Sequence, residues 1–135
     1  MEPKVRIEQE AVQRGATPDR WQVAWCIQNL GEAPLKILAA RLPHGKFRAE
    51  ERELAPPIDL APKQSGRIEL EARWSELPGT VVENAFLIMR VLWAGNLWLI
   101  FARFRVAVNG EGAPATMTEL ITAQPVGFSS QTIDE

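Results

Sequence analysis

The chain has 135 residues, with 15 Lys and Arg against 17 Asp and Glu, a formal net charge of −2 and 46% hydrophobic residues. This length fits one domain, and the mixture of apolar and charged residues excludes a disordered polyelectrolyte. The near-balanced charge also removes the broad positive field that drives non-specific nucleic-acid binding, so nucleic acid is not expected as a partner.

A single cysteine and a charged N-terminal segment indicate the expected compartment. Cys26 has no second cysteine with which to form an intramolecular disulfide, which fits a reducing environment. Charges at Glu2, Lys4 and Arg6 stand where a secretory signal would place its apolar stretch. The most apolar window, 85–104, is interrupted by arginines and by a Gly-Asn turn signal, so no membrane span is predicted. We therefore expect a cytoplasmic protein.

The N-terminal part of the chain alternates apolar and polar residues. Residues 8–15 would also suit a short helix that ends at a glycine, but we interpret residues 5–14 as a strand because every clear segment of the chain has strand period. The strongest alternation, at 20–30, places two tryptophans and two aliphatic residues on one face of a strand. After a Gly- and Pro-containing turn, the alternation resumes at 35–40. We expect these last two strands to pair as neighbours.

Prolines divide the middle of the chain. Residues 47–54 are highly charged, and their helix formers at 49–54 span only about two turns, so we interpret them as an edge strand or an irregular crossing. The prolines that follow divide the next part of the chain, because proline cannot donate a hydrogen bond to a central ladder. Residues 67–74 alternate cleanly between charged and apolar side chains. This alternation predicts another half-buried strand.

Two long apolar runs, 85–93 and 97–108, flank Ala94-Gly95-Asn96, a sequence typical of a hairpin turn. Near the turn both faces are apolar, whereas the second arm becomes amphipathic at Arg103 and Arg105. In an antiparallel domain one face of each sheet is usually exposed to solvent. The apolar residues at the tip of this hairpin should therefore be covered by a loop, by the C-terminal tail or by a second chain.

About seven short strands without alternating helices predict an all-β fold, an antiparallel β-sandwich of two sheets, with a barrel as the alternative. We assign this domain to residues 1–110. Residues 111–135 are predicted to be a short C-terminal extension that is partly flexible. Within it, a capping-box pattern predicts one helical turn over 116–123, and 127–135 are interpreted as a loose tail.

Two segments contain turn motifs. Residues 27–37 include Asn-Leu-Gly-Glu-Ala-Pro-Leu at 29–35, which has the form Asn-x-Gly-x-x-Pro-Leu, and residues 58–70 include Leu-Ala-Pro-Lys-Gln-Ser-Gly at 60–66, which has the form Leu-x-Pro-x-x-Ser/Gly. The two segments resemble bacterial immunoglobulin-like domains of the adhesion-related and spindle/hydin types, in which the first motif joins the second and third strands and the second motif leads into a later strand. The resemblance implies a bacterial protein, an immunoglobulin-like sandwich and a binding or spacer role.

The residues that commonly carry catalysis or bind metals are sparse. Nucleophilic catalysis needs a base, and the single histidine, His44, lies in a turn, whereas Cys26 lies within a predicted strand. We interpret them as a surface residue and a small buried thiol. One Cys and one His fall short of a tetrahedral metal site. The glutamates at 50–53 are interleaved with arginines, which is typical of a solvated edge. No catalytic residue, cofactor or metal is predicted, and an enzyme is not expected.

The five tryptophans fall into two groups. Trp21, Trp25 and Trp74 align with aliphatic residues on apolar faces and are predicted to lie in the core. Trp93 and Trp98 flank the hairpin turn and are the tryptophans most suited to display at the surface. Contact with a partner and simple local packing are the two alternatives for them.

Arginine together with tryptophan is typical of interface hot spots. The sequence therefore predicts an interaction surface on the hairpin formed by Arg90, Trp93, Leu97, Trp98, Phe101, Arg103 and Arg105. We expect a non-catalytic protein–protein interaction module whose partner is another protein or a second copy of the chain, with the homodimer formed through the hairpin at 85–108. The alternative is a sandwich that binds a carbohydrate or another small ligand through displayed tryptophans.

Overall fold

The computed structural model describes residues 1–43 and 45–127, which form eight β-strands. In chain order these are β1 (Val5–Arg14), β2 (Arg20–Asn29), β3 (Leu35–Leu42), β4 (Ala49–Leu60), β5 (Ser65–Arg73), β6 (Val81–Trp93), β7 (Asn96–Val108) and β8 (Pro114–Pro125). The described residues contain no helix with the length and apolar character needed to cross a bilayer.

The strands form two antiparallel sheets. One has three strands in the order β1-β2-β5, and the other has five in the order β4-β3-β6-β7-β8. The predicted antiparallel β-sandwich is therefore confirmed, with eight described strands where about seven were expected. Two sheets rather than one closed sheet enclose the core, so the barrel alternative is not realised.

The core lies between the two sheets and is built around aromatic side chains. The Trp25 ring of β2 stacks on Phe104 of β7 with ring centroids 5.7 Å apart, and Phe47 contacts both Trp25 and Trp74 edge to face. Trp21, Trp25 and Trp74 are 4%, 0% and 1% exposed, which confirms their predicted place in the core. Burial of a large apolar side chain contributes about 1.5–3 kcal/mol, so these contacts hold the two sheets together.

The prediction that 20–30 and 35–40 pair as neighbours is wrong. β2 pairs with β1 and β5, whereas β3 pairs with β4 and β6, so the turn between them carries the chain from one sheet to the other. Buried Asn29 fixes this crossing, because its Nδ2 donates hydrogen bonds to the carbonyl oxygens of Ala33 at 2.9 Å and Leu60 at 3.0 Å.

The helical turn predicted over 116–123 is also wrong. Pro114–Pro125 is strand β8, which pairs antiparallel with β7 from Trp98 to Val108. A lone helical turn has a costly nucleus, whereas the edge of β7 satisfies the backbone of this segment along its length. The described part of the predicted extension therefore joins the five-stranded sheet, and residues 128–135, where most of the predicted loose tail falls, lie outside the described residues.

The other predicted strands are confirmed. Residues 5–14 form β1, and the charged segment after Phe47 continues into β4, an edge strand of its sheet. In the hairpin, Trp93 pairs directly with Asn96, so Ala94 and Gly95 alone form the turn. Their φ values of 51° and 81° fit a type I′ turn, which needs positive φ at both central residues.

Candidate functional site

The five-stranded sheet has one side that faces away from the core, and its central strands carry apolar residues there. The strand register places these side chains next to each other on adjacent strands, with Leu92 opposite Leu97 and Ile88 opposite Phe101. We call this surface the outer face; it comprises Phe86, Ile88, Arg90 and Leu92 of β6, Leu97, Leu99, Phe101, Arg103 and Arg105 of β7, and Met117 and Leu120 of β8.

Exposure of the apolar side chains increases from the middle of the outer face towards β8. Ile88 is only 7% exposed, because it lies between the long side chains of Arg41 on β3 and Phe101 on β7. Phe101 itself is half-buried. Leu97, Leu120 and Met117 are 36%, 48% and 63% exposed. The outer face is therefore only partly covered by its own side chains.

Arg90 connects the apolar residues of the outer face to the edge of the sheet. Its Nη2 lies 2.7 Å from Oε2 of Glu53 and 2.9 Å from Oε2 of Glu51, both on β4. The hydrogen bond from Arg90 holds the pKa of the Glu51 carboxyl below its usual range, and the same bond raises the pKa of Arg90. Because these side chains are about one-third exposed or more, each pair contributes no more than about 1 kcal/mol.

The two arginines of β7 are paired as well. Arg103 lies 3.9 Å from Glu119 of β8, and Arg105 lies 3.2 Å from Glu83 of β6. Each arginine of the outer face is thus paired with a carboxylate of another strand of the same sheet. The surface combines apolar side chains with charges that are already neutralised.

The structure separates the predicted site residues into two groups. Arg90, Leu97, Phe101, Arg103 and Arg105 lie together on the outer face, as defined above by strand register. Trp93 and Trp98 lie on the opposite, core-facing side of the same hairpin.

Trp93 and Trp98 contact each other edge to face with ring centroids 5.8 Å apart. Trp93 is 7% exposed and Trp98 is half-buried. The prediction of display is therefore wrong for Trp93. The sequence carried the signal, because Trp93 is in phase with the buried Met89 and Val91.

Sequence reasoning missed Met117 and Leu120 of the outer face. They are three positions apart, so strict alternation would place them on opposite faces of a strand. A register shift between Arg103 and Phe104 of β7 accommodates one extra residue of β8 at this point, and such a bulge returns both side chains to one face. No local pattern in the sequence indicates this bulge.

Of the residues considered for catalysis and metal binding, the structure describes Cys26 and the glutamates of β4 but not His44. Cys26 is a half-buried free thiol on β2, and His44 lies outside the described residues. Across 1–43 and 45–127, no three His, Cys, Asp or Glu side chains are grouped so that they could hold a metal ion.

Comparison of the chain with protein-family models and with curated proteins finds no match. The fold and the outer face together define an antiparallel β-sandwich with one partly apolar sheet surface.

Proposed function

We propose that this protein is a non-catalytic protein–protein interaction module that binds a second copy of itself through the outer face. The observation that carries the proposal is that Leu97, Met117 and Leu120, all exposed, lie on the same side of the sheet as the half-buried apolar side chains of β6 and β7. Contiguous apolar surface on a soluble domain is typical of an interaction site.

The charges of the outer face favour a second copy as the partner. In a two-fold symmetric dimer the same surface meets itself, so a patch with charges of one sign would repel its copy. Here Arg90, Arg103 and Arg105 are each paired with a glutamate of the same chain. Two such faces can meet without an uncompensated charge, and their apolar side chains supply the burial.

The strand order supports an immunoglobulin-like classification of the sandwich. The neighbours β1-β2-β5 and β3-β6-β7 follow the A-B-E and C-F-G neighbours of immunoglobulin sandwiches. β4 adds to the β3 side of the larger sheet, and β8 is an additional strand on the β7 side. Binding modules are common among proteins of this architecture, so the classification agrees with an interaction role. The free thiol of Cys26 favours a cytoplasmic location.

The carbohydrate- or ligand-binding alternative depended on displayed tryptophans. Trp93 is buried, and the Nε1 atoms of both Trp93 and Trp98 are shielded from solvent. The aromatic side chains of the outer face are phenylalanines instead. No observation favours this alternative over self-association.

The test is sedimentation velocity of the full chain over a concentration series, compared with a double variant, Leu97→Glu with Leu120→Glu. Both leucines are at least 36% exposed, so the substitutions leave the core intact. The matched control is Leu30→Glu with Leu77→Glu, because these leucines are 44% and 77% exposed but lie outside the outer face.

We expect the wild-type chain and the Leu30/Leu77 variant to form dimers, and the Leu97/Leu120 variant to sediment as a monomer with an unchanged thermal unfolding midpoint. A monomeric wild-type chain at millimolar concentration refutes the proposal. Dimers that persist in the Leu97/Leu120 variant refute the assignment to the outer face.

A further inference from the structure

Three arginines that are not part of the outer face form a row across the edge of the sandwich. Arg20 of β2 pairs directly with Arg73 of β5, and Arg73 also forms an isolated antiparallel bridge with Arg48, just before β4. The bridge has backbone N···O distances of 2.6 and 3.3 Å. Residues directly opposite each other in antiparallel pairs project their side chains to the same side, with Cβ atoms about 5 Å apart. The row therefore brings three guanidinium groups to one side of the edge.

The row lines an open groove of about 790 Å³ between β4 and β5. Arg41 and Arg52 complete a set of five arginines in the groove, against the three carboxylates of Glu50, Glu51 and Glu71. The groove thus carries excess positive charge in a chain whose net charge is −2.

Two of the three carboxylates are already engaged. Glu71 lies 3.7 Å from Arg20, and Glu51 lies 3.4 Å from Arg41. Arg52 donates a hydrogen bond to the carbonyl oxygen of Glu69 at 2.7 Å.

Asp19 also lies beside the row, with its Oδ1 4.0 Å from Nε of Arg20. A hydrogen bond from Thr17 and, more weakly, the charges of Arg20 and Arg73 hold the pKa of the Asp19 carboxyl below its usual range. Asp19 thus offsets part of the positive charge, but the guanidinium groups of Arg48 and Arg73 form no contact as short as those above. Within 1–43 and 45–127, neither guanidinium forms a side-chain hydrogen bond or an ion pair of 4.0 Å or less. Like charges placed directly opposite each other are destabilising, and five arginines are more than the folded edge needs for its own carboxylates. This arrangement is typical of a surface that receives an external anion.

We propose that this groove binds a small oxyanion that carries a diphosphate or triphosphate group. The planar guanidinium fork matches the oxygen atoms of phosphate and forms paired, charge-assisted hydrogen bonds with them. A row of three arginines spans about 10 Å across the strands, which suits adjacent phosphate groups better than a single orthophosphate. The row shares no residue with the outer face, so the inference does not depend on self-association.

The test is isothermal titration calorimetry of the full chain with inorganic pyrophosphate, with orthophosphate as a second titrant. Arg73→Gln and Arg48→Gln remove the two unpaired guanidinium groups, and both side chains are exposed. Arg67→Gln is the matched control, because Arg67 lies on the same face of β5, six residues and about 20 Å away.

We expect saturable pyrophosphate binding that weakens as sodium chloride is raised, and weaker binding of orthophosphate. Each of Arg73→Gln and Arg48→Gln should weaken pyrophosphate binding about tenfold, since a hydrogen bond to a charged group is worth at least that factor. Arg67→Gln should change it less than about twofold. Absence of saturable binding to the wild-type chain, or an equal loss in Arg67→Gln, overturns the inference.

Discussion

Gln9 makes three of the hydrogen bonds that attach β8 to the smaller sheet, and its removal is expected to destabilise the protein. Thr118 of β8 adds another, to the carbonyl oxygen of Ile7. Its Oε1 accepts hydrogen bonds from the backbone N–H and the hydroxyl of Thr116, at 2.7 and 2.6 Å. Its Nε2 donates to the carbonyl oxygen of Pro114 at 3.1 Å. The Thr116 hydroxyl oxygen in turn accepts a hydrogen bond from Nε1 of Trp25 at 3.1 Å. Gln9 therefore links β8 to a network that reaches the core.

Substitution of Gln9 by alanine removes all three hydrogen bonds. Each contributes about 0.5–1.5 kcal/mol, so the full loss is about 2–4 kcal/mol. Gln9 is only half-buried, so water can replace part of what is lost, and the expected decrease in the unfolding free energy is about 2 kcal/mol. With a urea m-value of about 2 kcal/mol per molar, the unfolding midpoint falls by about 1 M.

The assay is urea unfolding followed by tryptophan fluorescence. Gln13→Ala is the matched control, because Gln13 is an exposed glutamine on the same strand, and its replacement should stay within about 0.5 kcal/mol of the wild-type value. If Gln9→Ala shifts the midpoint no further than Gln13→Ala does, the network does not hold β8 in place and the reasoning fails.

Three further predictions concern single residues. Asn29→Asp removes the two donors that fix the crossing between the sheets and should lower the unfolding free energy by about 3 kcal/mol in urea titrations; an unchanged midpoint would refute the role of Asn29. Ala94→Asn should raise the thermal midpoint by about 2–4 °C, because asparagine tolerates the positive φ of 51° at this turn position better than alanine does; a decrease would contradict this. Because Arg90 lowers the pKa of Glu51, this pair stabilises the fold above the ordinary value of 4.5 and loses its contribution as pH falls through the lower native pKa. An NMR titration of the Glu51 carboxyl should give a midpoint below 4.5 that moves upward in Arg90→Gln, and equal midpoints in the two proteins would contradict it.

The strands were predictable where their signals are local. The alternation at 20–30 and the Ala-Gly turn at 94–95 depend on side-chain phase and backbone φ, which neighbouring residues determine. The pairing of β8 was not predictable in this way. The Thr-x-x-Glu pattern at 116–119 is a local helix signal, but the unpaired edge of β7 supplies a non-local partner that overrides it.

The residues of the outer face were predictable where side chains alternate regularly along a strand. In the hairpin, phase alone places Leu97, Phe101 and Arg103 on one side and Trp93 on the other. The prediction that Trp93 is displayed was based on its position beside the turn, although the alternation of side chains along β6 places it on the core-facing side. Met117 required knowledge of both the sheet order and the β8 bulge, which arise only when the strands assemble.

The central claim is that the outer face of the five-stranded sheet binds its own copy, and a dilution series of ¹H–¹⁵N correlation spectra tests it most directly. Between micromolar and millimolar concentration, we expect the amide resonances of Leu99, Phe101 and Leu120 to shift together with a single dissociation constant, while those of β1 and β5 stay in place. Spectra that do not change with concentration, or shifts that are confined to β1 and β5, would contradict the claim.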